Sequence, residues 1–199
     1  NLTQMAFWFV AGVGAETIAG IAPVDNDHIG LWRIETGGAA IGDDNNISLS
    51  DSATINRMDF DALWEITWIV RPDDITNITI RFGLTNNPTS NTWESVNNTS
   101  FLFDPAVSAN WRCRTRNVGD QTTTTGTAVA INTFYKLKIV KDGTTIRFYL
   151  DNVNVANHAT EVPTAVCSPA ACVDNTTALA VTTTIVDRML LIIRGLANR

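Results

Sequence analysis

The stretch that decides the fold runs from Phe134 to Asn152 and reads Phe-Tyr-Lys-Leu-Lys-Ile-Val-Lys-Asp-Gly-Thr-Thr-Ile-Arg-Phe-Tyr-Leu-Asp-Asn. Apolar residues occupy alternate positions in both halves, which is the period of a half-buried β-strand. Asp142 and Gly143, between the halves, tolerate the backbone angles of a tight turn, so a β-hairpin is predicted. Because this hairpin has one apolar face, it must pack on a core that the rest of the chain supplies.

A second clear strand runs from Leu63 to Arg71 and alternates in the same way, and Pro72 follows it. Further short strands recur every 8 to 12 residues or so, a spacing typical of a sandwich rather than of βαβ units. The 199 residues are therefore predicted to form one all-β domain, an antiparallel jelly-roll β-sandwich over residues 1–199. The side chains predicted to be buried are Trp64, Ile66, Trp68, Leu137, Ile139, Phe148 and Leu150.

Other segments show weaker patterns. The residues after Gly14 are predicted to form a loop, residues 119–127 a Thr-rich turn region, and residues 153–177 an irregular segment. Met189 to Arg194 is a strongly apolar strand. Two interpretations of it stay open: an interior strand, or an apolar edge that a neighbouring subunit or further segment must cover.

The charge of the chain argues against binding to nucleic acid. Its formal net charge is −6 and its pI about 4.8, whereas nucleic-acid binding needs a clustered basic face. Arg112, Arg114 and Arg116 alternate along one strand and are predicted to form a solvated strand face. No apolar run reaches the roughly 20 residues that cross a bilayer, so a soluble protein without a membrane partner is expected.

The cysteines give no zinc pattern. Cys167 and Cys172 flank a short Pro/Ala turn that lacks further ligands at zinc spacing, and a bridge between them or two free thiols both stay open. Cys113 is predicted to pack as a small hydrophobic residue.

Calcium is the single ion for which the sequence offers ligand candidates. Oxygen-bearing side chains cluster in two loops, at Asp25 and Asp27 and at Asp43 and Asp44. Calcium sites take several such oxygens from one loop. The alternative, an Asx-rich turn, is favoured because the regular ligand spacing is missing. No other cofactor is indicated.

No catalytic residue can be assigned from the sequence. The tight acidic pairs, Asp59 with Asp61 and Asp73 with Asp74, flank turns, where Asp commonly caps the backbone. The two histidines, at positions 28 and 158, have no nucleophile motif to activate. The chain is accordingly predicted not to be an enzyme.

Trp93 is the candidate for contact with a ligand. It stands in a polar loop, and an exposed indole ring can stack on a sugar. The alternative is that it plugs one end of the sandwich.

Several motifs follow one another in a familiar order: Ser100-Phe-Leu-Phe-Asp-Pro, Asn110-Trp-Arg-Cys-Arg-Thr, Tyr135-Lys-Leu-Lys-Ile and Thr145-Ile-Arg-Phe-Tyr-Leu-Asp-Asn. This order resembles the concanavalin A-like (laminin-G-like) jelly-roll modules of bacteriophage structural proteins. The resemblance covers the second half of the chain. It departs after Arg194, where nothing matches the Val-Asp-Tyr-like closing strand of those modules.

The resemblance implies a concanavalin A-like fold and a place on the exterior surface of a virion, as capsid decoration or as part of a tail fibre. Its implied partners are other virion proteins, further copies of itself, such as a trimer, and a cell-surface glycan. The alternative function is a secreted glycan-binding or glycan-cleaving domain of a cell. Glycanases of this fold carry a Glu-x-Asp-x-x-Glu strand, and that spacing does not occur here.

Overall fold

The computed structural model describes residues 8–11, 17–22, 31–37, 44–48, 63–87, 93, 97–165, 167–176 and 181–194. These residues contain fourteen β-strands and no α-helix, so none of them forms a helix that could cross a lipid bilayer. In chain order the strands are β1 (Trp8–Ala11), β2 (Thr17–Ile21), β3 (Leu31–Glu35), β4 (Asp44–Ser48), β5 (Leu63–Pro72), β6 (Ile78–Thr85), β7 (Asn98–Asp104), β8 (Ser108–Arg116), β9 (Asp120–Ala128), β10 (Tyr135–Asp142), β11 (Thr145–Leu150), β12 (Val153–His158), β13 (Ser168–Asn175) and β14 (Thr183–Arg194).

The strands form two sheets of seven. Sheet A has the order β1-β4-β13-β6-β7-β8-β9, and sheet B the order β12-β11-β10-β5-β14-β3-β2. The pairings within each sheet are antiparallel. The predicted all-β sandwich is confirmed.

The core lies between the two sheets. Aromatic rings meet across it: Trp68 of sheet B lies 5.4 Å from Phe82 of sheet A, and Phe148 of sheet B lies 5.4 Å from Phe101 of sheet A. The first contact is tilted and the second is edge-to-face, and aromatic contacts of this kind add to the stabilisation from buried area. All seven side chains predicted to be buried are buried: Trp64, Ile66, Trp68, Leu137, Ile139, Phe148 and Leu150.

The central hairpin is confirmed as β10 and β11, with one change in its turn. Asp142 pairs with Thr145 as part of the ladder, so the two turn residues are Gly143 and Thr144. Gly143 has φ +62°. A positive φ at the first turn residue is the type II′ requirement, which Gly meets without steric cost.

Three segments were predicted wrongly, because they contain strands. β2 lies in the predicted loop after Gly14, β9 in the predicted Thr-rich turn, and β12 and β13 in the segment predicted to be irregular. β9 has almost no apolar side chain, and β13 is made largely of small residues that are buried on both faces. Neither segment shows the apolar alternation from which a strand is predicted. Each forms a strand because its backbone pairs with that of a neighbouring strand.

The strand β14 lies between β5 and β3 in sheet B, and the two interpretations concern its second part, from Met189 to Arg194. Thr183–Val186 pairs with both neighbours, and an irregularity at Asp187 follows. Among the described residues, Met189–Ile193 pairs with β5 alone, and Leu190 is 48% exposed. Self-association through this region stays a prediction.

The three cysteines are buried, and they form no disulfide with one another. Cys113 is fully buried in the core cluster, as predicted, and burial raises the pKa of its thiol. It therefore serves as a small packing residue.

Candidate functional site

The most distinctive surface of the molecule is the outer face of sheet A, where every second side chain points away from the core. On β8 the outward residues are Arg112, Arg114 and Arg116, because Trp111 and Cys113 between them belong to the core. The sequence thus places three guanidinium groups on one side of one strand.

These arginines are fixed by carboxylates. Asp120, at the start of β9, accepts from two of them: its Oδ1 is 2.8 Å from Arg114 Nε and its Oδ2 is 2.6 Å from Arg116 Nη1. Arg112 Nη2 is 3.8 Å from Asp104 Oδ2. Charge-assisted hydrogen bonds at the shorter distances are the strong ones, so Asp120 holds two guanidinium groups in place with a single carboxylate.

The prediction of a solvated arginine face is wrong for Arg114, which is 6% exposed. Arg81 of β6, on the same face, is also 6% exposed, and its Nη1 lies 3.8 Å from Asp174 Oδ2. The middle of this face is thus buried although its side chains are polar. A charged group is retained in such a place only with partners.

Trp93 explains part of this burial. Its side chain is fully buried and clusters with Ala170 and Cys172 of β13. Cys172 pairs with Arg81, so it lies on the outer face of sheet A, and Asn98 on β7 donates a hydrogen bond to the Trp93 carbonyl oxygen. Trp93 is therefore a buried residue that packs on the outer face of sheet A at β13. Its ring is not available on the surface for stacking on a sugar.

Beside this covered region the face opens at the edge strand β9. Thr122 and Thr124 pair with Arg114 and Arg112 and are exposed on the same side. Arg112, Arg116, Asp120, Thr122 and Thr124 together form the surface that we call the arginine strip. The sequence did not predict that Thr122 and Thr124 join this surface, because the Thr-rich stretch that forms β9 was predicted to be a turn. The regular alternation of exposed and less exposed positions along β9 follows from its pairing with β8.

The other predicted site residues are placed as follows. Asp25, Asp27, Asp43, Asp59, Asp61 and His28 lie outside the described residues, as does the side chain of Asp44. Within the described ranges no three His, Cys, Asp or Glu side chains come close enough to hold a metal ion. Asp74 accepts from the Thr76 amide at 2.7 Å, a backbone cap as predicted, and Asp73 forms a two-point ion pair with Arg71.

His158 is the second unusual polar group, and it joins the two sheets. It lies at the end of β12 in sheet B, is fully buried, and its Nδ1 and Nε2 lie 3.0 Å from the hydroxyls of Thr115 and Thr123 in sheet A. The Thr115 hydroxyl donates to the Thr160 carbonyl at 3.2 Å, so it accepts from Nδ1–H, and Nε2 accepts from Thr123. This arrangement suits the neutral ring, and burial lowers the pKa of His158 to about 4.

The outer face of sheet B offers a contrasting polar surface at its β11–β12 edge. A shallow depression of about 360 Å³ is lined by Thr145, Arg147, Tyr149, Asn154 and Asn157. The two asparagines bond to each other at 3.1 and 3.2 Å.

Comparison with solved structures supports the concanavalin A-like jelly-roll fold. A β-glucanase from Bacillus licheniformis aligns with a TM-score of 0.63 at 10% identity over 96% of this chain and 93% of its own. The laminarinase catalytic domain from Thermotoga maritima gives 0.63 at 10% identity over 97% and 92%. A carbohydrate-binding module from Bacillus subtilis gives 0.55 at 14% identity over 94% and 96%. No family model and no curated protein sequence matches the chain.

The prediction that the chain is not an enzyme is contradicted by these comparisons, because two of the similar structures are glycan-cleaving enzymes by name. The third is named as a module that binds carbohydrate. The comparisons thus agree with the alternative function, a glycan-binding or glycan-cleaving domain, better than with a virion module, and none of them indicates a bacteriophage. At these identities the likeness concerns the fold.

Proposed function

We propose that this chain is a carbohydrate-active domain that holds a polysaccharide along the arginine strip. The proposal is supported by similar structures that are named as glycan-cleaving enzymes or as a carbohydrate-binding module. The position of the arginine strip also supports the proposal. It lies at the exposed β9 edge of sheet A, and the other side of the neighbouring strand β8 packs in the core.

The observation that carries the proposal is the sharing of one carboxylate by two arginines. Asp120 binds Arg114 through Oδ1 and Arg116 through Oδ2, so two guanidinium groups are held in fixed orientations at this edge of a chain whose net charge is −6. Guanidinium groups recognise carboxylates and sulfates by paired hydrogen bonds. The hydroxyls of Thr122 and Thr124 lie beside them and match the hydroxyls of a sugar. The substrate class that fits is a polysaccharide with acidic groups.

The same face also carries carboxylates. Hydrolysis of a glycosidic bond uses two carboxyl groups on either side of the bond, about 5–10 Å apart. Asp104 and Asp120 both pair with arginines of β8. Asp104 lies opposite Ser108 and Asp120 opposite Arg116, so these two residues are about eight residues, or roughly 26 Å, apart along that strand and do not flank one bond. Asp120, within the arginine strip, is the residue to change first if sugar release is observed.

The test is affinity electrophoresis and a reducing-end assay with a panel of acidic and neutral polysaccharides. We expect retardation by an acidic polysaccharide and a loss of affinity of about tenfold or more in Arg116→Ala, because a hydrogen bond to a charged group is worth about 1.5–3 kcal/mol. Arg147→Ala is the matched control, since Arg147 pairs with Asp142 on the outer face of sheet B.

Sugar release would make the domain an enzyme, and retardation without release a binding module. Either outcome supports the proposal if it depends on Arg116. No retardation and no release with any polysaccharide, or equal losses in Arg116→Ala and Arg147→Ala, would overturn it.

A virion surface is a second candidate setting, supported by the order of motifs from Ser100 to Asn152. Two details of the structure agree with that resemblance: the β10–β11 hairpin, and the turn at Asp151 and Asn152, whose φ values are +49° and +69°. Mass spectrometry of purified virions whose genome encodes this chain would test the location, and copies of itself and other virion proteins are the partners to look for. Absence of the chain from such particles would rule it out.

A further inference from the structure

A second candidate site lies at one end of the sandwich, next to the turn that joins Arg116 and Asp120 of the arginine strip. Three connections meet there: the β8–β9 turn at residues 117–119, the β10–β11 turn at Gly143 and Thr144, and the segment 159–164 after β12. They line an open depression of about 420 Å³, which we call the loop-end pocket. This volume is near the lower end of the usual range for small-ligand sites, about 300–1,000 Å³.

The wall of the pocket is held in a strained shape by specific bonds. Glu161 has φ +52°, a left-handed conformation that costs a non-glycine residue roughly 1 kcal/mol or more. Its Oε2 accepts from the amides of Val118 and Gly119 at 3.1 and 2.7 Å. The Thr160 amide and hydroxyl both donate to Gln121 Oε1, at 3.1 and 2.7 Å. The segment is therefore anchored at Thr160 and at Glu161, so the pocket exists before any ligand arrives.

The lining combines complementary polar groups with an apolar wall. Lys141, which is 7% exposed, supplies an ammonium donor and Glu161 a carboxylate acceptor. Thr144 adds a hydroxyl group, while Val162 and Pro163 supply carbon surface. Lys141 and Glu161 carry opposite charges and are the charged residues of this lining, so the lining has no net formal charge.

From this geometry we infer that the loop-end pocket binds one neutral sugar residue of a glycan. Each hydroxyl of a sugar both donates and accepts, so neighbouring hydroxyls can bond to the Glu161 carboxylate and the Thr144 hydroxyl together, while the C–H face of the ring packs on Pro163. The inference rests on the proposed function in that the ligand is a glycan, but it concerns a different surface with a different charge preference.

The test uses neutral methyl glycosides of glucose, galactose, mannose and fructose as probes, with binding followed by amide NMR shifts of the intact chain. We expect one of them to shift the amides of Val118, Gly143, Thr144 and Glu161. Glu161→Gln, which keeps an oxygen acceptor for the two amides, should weaken that binding about tenfold. Thr144→Ala should weaken binding of the same glycoside severalfold. This variant replaces Glu161→Gln in the test if Glu161→Gln does not fold. Glu65→Gln, which changes a carboxylate bonded to Lys138 on sheet B, is the matched control.

The proposals for the arginine strip and for the loop-end pocket can be contradicted independently. Arg116→Ala should leave the glycoside shifts unchanged, and Glu161→Gln should leave retardation by acidic polysaccharide unchanged. If no probe shifts these amides, or if Glu161→Gln and Thr144→Ala both bind as tightly as Glu65→Gln does, the inference is overturned, whatever the arginine strip binds.

Discussion

The outer faces of the two sheets carry the same sequence pattern and differ in burial. On β8 of sheet A, cationic residues alternate with core residues, and they do so again on β10 of sheet B. On sheet A the side chain of Arg114 is 8% exposed, whereas on sheet B the side chain of Arg147, on β11, is 45% exposed. Part of the outer face of sheet A is covered by Trp93, which packs on β13 beside Arg81.

This difference changes what an ion pair does. An exposed pair contributes about 0–1 kcal/mol, because water solvates its members when they separate. A buried pair need not stabilise the fold, but removing one partner leaves a charge without solvent and is costly. On the outer face of sheet A the charged side chains are therefore held in one arrangement by their partners. On the outer face of sheet B they can separate and be solvated at little cost.

The largest expected effect comes from Gly83, on the covered side of sheet A. A methyl group there would lie 2.0 Å from the Thr99 carbonyl oxygen and 2.7 Å from Ser100 Cα. Gly83→Ala should therefore lower the free energy of unfolding by about 3 kcal/mol or more, since backbone must move. Gly126→Ala on the open strand β9 is the control, because nothing lies within 4 Å of its added carbon. Urea unfolding measures both, and equal stability of the two variants would show that the covered face is not rigid.

The next largest effect concerns His158, which ties sheet B to sheet A. Its pKa is about 4 in the folded chain, below the ordinary 6.5, so the unfolded chain binds the proton more tightly. Its stabilising effect is thus complete above pH 6.5 and is lost as pH falls toward 4, by about 3 kcal/mol in all.

The measurement is the free energy of unfolding at several pH values between 7 and 4 for the natural chain and for His158→Gln. The variant should lose less stability over this range, because glutamine does not titrate. Parallel pH profiles for the two chains would show that His158 is not the group responsible.

The smallest effect compares the ion pairs directly. Asp120→Ala removes the shared partner of Arg114 and Arg116 and should cost about 2 kcal/mol or more, because the Arg114 charge remains buried. Asp142→Ala removes the partner of Arg147 and should cost less than about 1 kcal/mol. Thermal unfolding at low and high salt would measure both, and a larger loss in Asp142→Ala would reverse the comparison between the two faces.

The sequence by itself determined the features that depend on local pattern. Alternation within Phe134–Asn152 identified the hairpin, and alternation within Leu63–Arg71 identified its neighbour and the buried faces of both. These predictions succeeded because a period of two, together with a turn residue such as Gly143, fixes which side chains share a face. The same pattern placed Arg112, Arg114 and Arg116 together on one side.

Only the tertiary structure decided which faces are covered and which distant groups meet. The strands β9 and β13 form because neighbouring backbones pair with them, and their side chains carry little signal of it. The burial of Trp93 and Arg114, and the meeting of His158 with Thr115 and Thr123, depend on packing between segments far apart in the chain. Alternation specifies two sides of a strand, but what lies against each side is set by the rest of the fold.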